Sequence, residues 1–322
     1  MTDDLLAIDA ETTTESICGW IRATVLGVLR RRGVVIGISG GIDSAVCAAL
    51  CVRALGPQKA FGLFMPERDS ASDSLRLGRL VADCLGIQAI VEPIGPALEA
   101  AGCYQRQNEA IREVFPEYGD GYKCKITMPS VIESDRLNFV HLVIETPSGE
   151  VKKSRMPPGA YLQLIAATNF KQRLRKTTEY YHADRLAFAV VGTPNLLEYD
   201  QGFFVKQGDG AADIEPIAHL YKTQVYALAR HLGVPEEVQR QLPTTDTFSM
   251  PQTQEEFYFA LPYDKMDVCL YGKNNAITAN DLAPFVGLSA EQVERVYRDI
   301  DAKRRVAKYL HLPPVTLLPV GL

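Results

Sequence analysis

Residues 37–44, Gly37-Ile38-Ser39-Gly40-Gly41-Ile42-Asp43-Ser44, bring together several groups that could do chemistry. The glycines at 40 and 41 permit unusual backbone dihedrals and let an anion come close. Free N–H groups where a helix begins form an anion nest. Ser39 and Ser44 add hydroxyl donors. Asp43 has the opposite logic, because a carboxylate beside bound phosphates repels them unless a divalent cation lies between. The loop therefore predicts Mg²⁺. It lacks the GxxxxGK[ST] lysine and does not read GxGxxG.

A strand must deliver this loop and a helix must leave it. Val34-Val35-Ile36-Gly37-Ile38 is short, apolar and branched, the pattern of a strand buried on both faces. A helix is expected over 45–55. Strands over 61–65 and 89–94 flank a helix over 72–85. A fourth apolar run, 186–191, ends in Gly192-Thr193-Pro194-Asn195. This alternation predicts an α/β fold: a doubly wound, mostly parallel sheet flanked by helices. Ligands bind such sheets at the carboxyl ends of strands, where both polar turns lie. An apolar stripe predicts a helix over 14–31, ended by Gly33 with Arg30, Arg31 and Arg32 at its negative end. Residues 116–158 interrupt the rhythm. The runs 137–144 and 150–155 around Pro147-Ser148-Gly149 predict a β-hairpin insertion. Helices follow over 161–181 and from Tyr221, and a capping box of Ser289 and Gln292 opens one to about Ile300. The division expected is one domain over 1–270 with a helical extension over 271–322.

Composition narrows the function. The 322 residues are 47% hydrophobic and 23% charged, which fits a globular chain. A net charge of −5 argues against a dedicated nucleic-acid binder. No apolar run is long enough to span a membrane. The acidic N-terminus is not a secretory signal. Seven cysteines, an odd number without a CxxC pair, fit reduced thiols and a cytoplasmic protein.

The SGGxDS turn resembles the pyrophosphate loop of the ATP pyrophosphatases, the adenine nucleotide alpha hydrolase-like fold. The text downstream narrows the resemblance. Val191–Glu198, VGTPNLLE, precedes Gly202–Ile214, GFFVKQGDGAADI; then come Leu220–Val225, LYKTQV, and Pro243–Asp246, PTTD. In order and nearly in spacing these are similar to the NAD synthetase family. The resemblance implies ATP-dependent amidation of deamido-NAD (nicotinic acid adenine dinucleotide) through an acyl-adenylate, releasing AMP and pyrophosphate. The chain has no room for a glutaminase domain, so ammonia is the implied nitrogen source. A homodimer is implied as well, with the 14–31 helix as a candidate contact.

The resemblance also implies roles residue by residue. Ser39, Gly40, Gly41, Asp43, Ser44, Thr193, Lys222 and Thr244 would hold ATP, with Asp43 and Glu198 on the metal. Asn169, Arg173, Phe203, Lys206, Asp209 and Asp213 would hold deamido-NAD; Asp43, Lys222 and Lys206 would carry the chemistry. Read singly, Glu198 is a loop acid, Phe203 a core residue, and Lys171, Arg173, Arg175 and Lys176 a solvated helix face. Three stretches depart from the family pattern: the long insertion, residues 247–263, and Lys303-Arg304-Arg305 without a preceding histidine. A relative amidating another carboxylate is thus the main alternative. A non-enzymatic nucleotide-binding module would not need two metal carboxylates. A tRNA-thiolating relative would want a usable cysteine pair and a basic face.

Overall fold

The computed structural model describes residues 5–71, 73–128, 140–244, 247–259 and 261–317. Helix α1 (Ala10–Arg22) is capped by Asp9, which accepts the N–H groups of Glu11 and Thr12. A wider turn continues it over Ala23–Val28. The stop differs from expectation. Arg30, not Gly33, takes the left-handed conformation, with φ 53°. Gly33 is needed for closeness instead: a Cβ there would lie 2.4 Å from the Lys59 carbonyl oxygen and 2.7 Å from the Phe188 ring.

Strand β1 (Val34–Gly37) leads into helix α2 (Ile42–Leu55), then β2 (Ala60–Phe64), α3 (Ser74–Leu85) and β3 (Gln88–Val91). Ser72, where the third of these helices was expected to begin, lies outside the described residues. Short helices α4 (Gly95–Ala100) and α5 (Cys103–Arg112) follow. The insertion then forms its own antiparallel sheet, β4 (Lys123–Thr127), β5 (His141–Glu145) and β6 (Val151–Arg155), in that spatial order. The expected hairpin is β5–β6, turned by Gly149 at φ 85°. Residues 137–139 of its expected first strand lie outside the described residues. Strand β4 was not anticipated, since KCKIT alternates charge with apolar residues. Its Cys124 and Ile126 join Leu142 and Ile144 in a core against Ile111 and Leu164.

Helix α6 (Pro158–Leu186) is longer than the pattern suggested and absorbs Leu186 from the expected fourth strand. Strand β7 (Ala189–Val191) completes a parallel sheet in the order β3-β2-β1-β7. Val34 and Ile36 pack into the core with α1 and α2, whereas Val35, Phe61, Leu63 and Val190 pack toward α6. Both faces are covered, which is why the strands read as unbroken apolar runs. After α7 (Leu196–Gln201), α8 (Lys222–His231) and the short α9 (Glu236–Gln239), three helices build a separate core. They are α10 (Tyr263–Asn274), α11 (Ala279–Val286) and α12 (Ala290–His311). The Ser289–Gln292 capping box opens α12 as expected, but the helix runs on to His311. Its basic stretch is anchored: Arg304 grips Asp200 at 2.8 Å, and Lys303 donates to the Tyr258 carbonyl at 2.7 Å. All seven cysteines are free, and six are buried. Among the described residues no helix is long and apolar enough to cross a membrane.

The Gly33 contact is testable. Gly33→Ala should destabilise the chain by about 1–3 kcal/mol, because neither backbone nor ring can retreat far. Urea unfolding reads this as a lower midpoint at unchanged slope, and an unaltered midpoint contradicts the close approach.

Candidate active site

The loop after β1 is closed by its own hydroxyls. Ser44 Oγ donates to the Gly41 carbonyl at 3.0 Å and lies 3.2 Å from Ser39 Oγ, which accepts the Gly41 N–H at 3.2 Å. Gly40 sits at φ 85°, and a Cβ there would meet the Ser74 carbonyl oxygen at 2.7 Å. Only glycine fits. Gly41 caps α2, so the first N–H groups of a 14-residue helix open toward the sheet's carboxyl edge.

Asp43, in the first turn of α2, meets groups from two other elements. Lys222 Nζ pairs with its Oδ2, and Asn195 Nδ2 lies 3.3 Å from its Oδ1. The same Asn195 amide donates to Glu198 Oε2 at 2.9 Å, while its Oδ1 caps α7. Gln254 Nε2 donates to Glu198 Oε1 at 2.9 Å. Burial, reinforced by the Asp43 charge, pushes the Glu198 carboxyl up to about 7. Burial works against the Lys222 ammonium, but Asp43 and Glu198 outweigh it and hold the lysine charged. Lys222 opens α8 and is almost fully buried. A cation at a helix N-terminus is unfavourable. Asp267 of α10 compensates, accepting the Lys222 and Thr223 N–H groups at 3.2 and 2.6 Å.

A cavity of about 600 Å³ opens from this cluster. Ser39, Gly40, Gly41, Asp43, Ser44, Thr193, Glu198, Lys222 and Thr244 all line it, so the expected ATP and metal residues share one space. Asn169, Phe203 and Asp209 line it too. The Phe203 ring stacks on Tyr258 with centroids 4.8 Å apart. A smaller chamber of about 240 Å³ adjoins it through Ser39, Ser44, Thr193 and Asp209, between the ends of β1 and β2 and helix α6. Three expected substrate residues are not among those lining either space. Arg173 Nε donates to the Lys206 carbonyl at 3.2 Å. Lys206 Nζ caps the end of α12 through the Tyr309 and Leu312 carbonyls at 2.9 and 2.8 Å. Asp213 accepts the Val190 N–H at 2.7 Å, which secures the edge of β7.

Sequence reasoning passed over Asn195, Gln254 and Asp267 as site residues. Asn195 carried a visible signal, the N-cap of Asn195-x-x-Glu198. The other two carried none, since their partners lie 56 and 45 residues away. The basic stretch of α6 is solvated only in part, at Arg173. Lys171 is buried and bonds Asp69 at 2.6 Å and Glu67 at 3.3 Å, and Lys176 pairs with buried Glu179 at 2.7 Å. A core charge needs such partners to be tolerated.

Burial also makes the site sensitive to pH. Asp267 is pushed up to about 7 from an ordinary value of 3.8. Between those values the folded chain holds more protons than the unfolded one, so stability falls as pH rises through the window. Asp267→Asn removes this titration. Its thermal midpoint, read without added metal, should fall less between about pH 5 and about pH 8 than the wild type's. An identical slope contradicts the buried carboxylate.

The family described as NAD synthase matches residues 13–117 and 130–307, leaving out a stretch that contains β4. The NH(3)-dependent NAD(+) synthetase of Mesorhizobium japonicum is 62% identical over 98% of this chain and 99% of its own length. That of Rhizobium meliloti is 58% identical over 98% and 95%. Among solved structures, an NMN synthetase from Francisella tularensis aligns with TM-score 0.66 at 23% identity, over 96% of this chain and 99% of its own. An NH3-dependent NAD synthetase from Campylobacter jejuni aligns with TM-score 0.60 at 22% identity, over 97% and 100%. The structural likenesses establish the fold, and the sequence matches establish the kinship: this chain belongs to the NAD synthase family.

Proposed function

We propose that the chain amidates deamido-NAD to NAD with ammonia, consuming ATP and releasing AMP and pyrophosphate. What carries the reading is the joining of the Ser39–Ser44 loop, Asp43, Glu198 and Lys222 on one cavity with Asn169 and Phe203. The identities to relatives named NH(3)-dependent NAD(+) synthetases support the acyl substrate and the nitrogen source.

The donor set fits a divalent cation. Asp43 and Glu198 are crowded together, with one ammonium to offset both. Among the described residues no three His, Cys, Asp or Glu side chains gather to hold a metal. Two carboxylates with the remaining positions left to phosphates and water is how Mg²⁺ is commonly bound. Mg²⁺ on Asp43 and Glu198 would neutralise charge on the ATP phosphates.

The chain's own residues do the rest. The Gly40–Ser44 backbone and hydroxyls cradle the pyrophosphate, with Lys222 beside it and Thr193 and Thr244 at the rim. The smaller chamber between β1, β2 and α6 is suited to the adenosine. Asn169, Phe203 and Asp209 orient the dinucleotide so that a nicotinate carboxylate oxygen attacks the α-phosphorus. That bond forms as the bond to pyrophosphate breaks, and negative charge moves onto the leaving group near Lys222. Ammonia then attacks the carbonyl carbon and AMP departs. Positioning supplies most of the rate. Lys206, Arg173 and Asp213 support the cavity wall, and Lys206 reaches the substrate only by leaving the end of α12.

A cytoplasmic homodimer completes the reading. Exposed Trp20, Leu26 and Val28 along α1 and its continuation support the contact. Sedimentation equilibrium checks it: a monomer mass at micromolar concentration contradicts a stable dimer.

The direct test is pyrophosphate release from ATP, Mg²⁺ and ammonium, with and without deamido-NAD. Release that requires deamido-NAD and yields NAD is expected. No release with deamido-NAD, although ATP still binds, would instead favour another carboxylate substrate. Asp43→Asn should cut turnover at least about 100-fold, read at a temperature where the variant is still folded, since it also leaves buried Lys222 one carboxylate short. Near-normal turnover contradicts its place on the metal. Asn169→Ala should raise KM for deamido-NAD more than for ATP, and equal rises contradict its assignment.

A further inference from the structure

Two stretches that depart from the family pattern, the insertion and residues 247–263, meet in space. The segment 249–256 runs along the free edge of β4. Met250 N–H donates to the Cys124 carbonyl at 3.0 Å, and Cys124 N–H donates to Ser249 Oγ at 2.9 Å. Further along, Met128 N–H donates to the Glu256 carbonyl at 3.2 Å. The Gln252 amide donates to the Ile126 carbonyl. Lys125 Nζ fastens the same segment from the side, at 3.0 Å from the Glu256 carboxylate and 3.4 Å from the Pro251 carbonyl. An unprotected sheet edge is thereby paired.

Within this clasped segment stands Gln254. Its Nε2 donates to Glu198 Oε1 at 2.9 Å, while Asn195 holds the other oxygen at 2.9 Å. Glu198 therefore has one restraint from its own helix cap and one from a segment held on one side by the insertion and on the other by residues 243–244, where the Gln254 N–H donates to the Pro243 carbonyl at 3.1 Å and Thr253 bridges Thr244. The insertion sheet rests in turn on α5 and α6 through a core of its own. A carboxylate held at both oxygens keeps one orientation, and partners behind a metal ligand are worth about 10–100-fold in metal affinity or activity.

We propose that Gln254 is a positioning residue for Glu198, and that the insertion sheet, by pairing β4 with residues 249–256, acts together with the 243–244 strand contact to keep Gln254 in reach. This rests on the reading that Glu198 faces a divalent cation with the ATP phosphates. The insertion is then a buttress of the catalytic site and not an appended ornament. Its effect is exerted through the metal, so it should weigh on metal and turnover more than on binding of the dinucleotide.

The test compares wild type with Gln254→Ala, Gln254→Asn, Lys125→Ala and Lys123→Ala. Lys123 lies on the same strand but pairs with Glu145 at 3.5 Å, away from the segment. Mn²⁺ binding is read by electron paramagnetic resonance on protein saturated with a non-hydrolysable ATP analogue. Turnover and KM for deamido-NAD are read separately. Gln254→Ala should weaken Mn²⁺ binding and lower kcat by at least about 10-fold, with KM for deamido-NAD nearly unchanged. Gln254→Asn, one methylene short, should recover little. Lys125→Ala should move both readouts in the same direction by a smaller factor, and Lys123→Ala should leave them alone. Wild-type Mn²⁺ affinity for Gln254→Ala overturns the proposal. So do equal effects from Lys125→Ala and Lys123→Ala, which would mark general destabilisation. If wild type itself bound no Mn²⁺ with the analogue, the metal assignment would fail before the role of Gln254 was reached.

Discussion

Asp43 and Glu198 enter one space from the ends of two adjacent parallel strands, and a single ammonium, that of Lys222, serves both. Much of the surrounding structure follows from keeping these three groups together. Like charges repel, and a lysine buried to this degree costs several kcal/mol without partners. The chain answers with an amide between the carboxylates, from Asn195, and with a second carboxylate, Asp267, behind the lysine at its helix start. The sheet supplies geometry. Strands β1 and β7 pair in parallel register from Val34 with Ala189 to Ile36 with Val191. Both turns therefore leave the sheet at one level.

A lone carboxylate in a phosphate nest would oppose its ligand. Two carboxylates and one lysine instead make a site that is incomplete in charge until a cation and polyphosphate arrive together. This gives ordered demand without a moving part. The aromatic wall of Phe203, Phe257 and Tyr258 supplies the apolar side of the same cavity, and the insertion contributes Ile126, Met128 and Val140 to it.

What could be read from the residues was what local pattern encodes. The branched run before SGGIDS marks β1, and Gly40 and Gly41 mark a turn that other residues cannot make. The four parallel strands, α2 and the β5–β6 hairpin were all visible in this way. Long-range partners were not. Asp267 and Gln254 stand in no motif, and nothing within a few residues of either reports its contact. Lys171 was obscured for the same reason, since the carboxylates that admit it to the core, Glu67 and Asp69, lie about a hundred residues away. Strand β4 was hidden by Lys123 and Lys125, each of which pairs with a carboxylate, Lys125 while mostly covered. Lys206 was placed by resemblance at the substrate, whereas the structure turns its ammonium to the end of α12.

The central claim is that this cluster serves attack by a carboxylate oxygen on the α-phosphorus of ATP. Deamido-NAD labelled with oxygen-18 in its nicotinate carboxylate tests that step most directly. Mass spectrometry of the products should find one labelled oxygen carried into the phosphate of AMP, as transfer through an acyl-adenylate requires. Unlabelled AMP accompanying NAD formation would contradict the account.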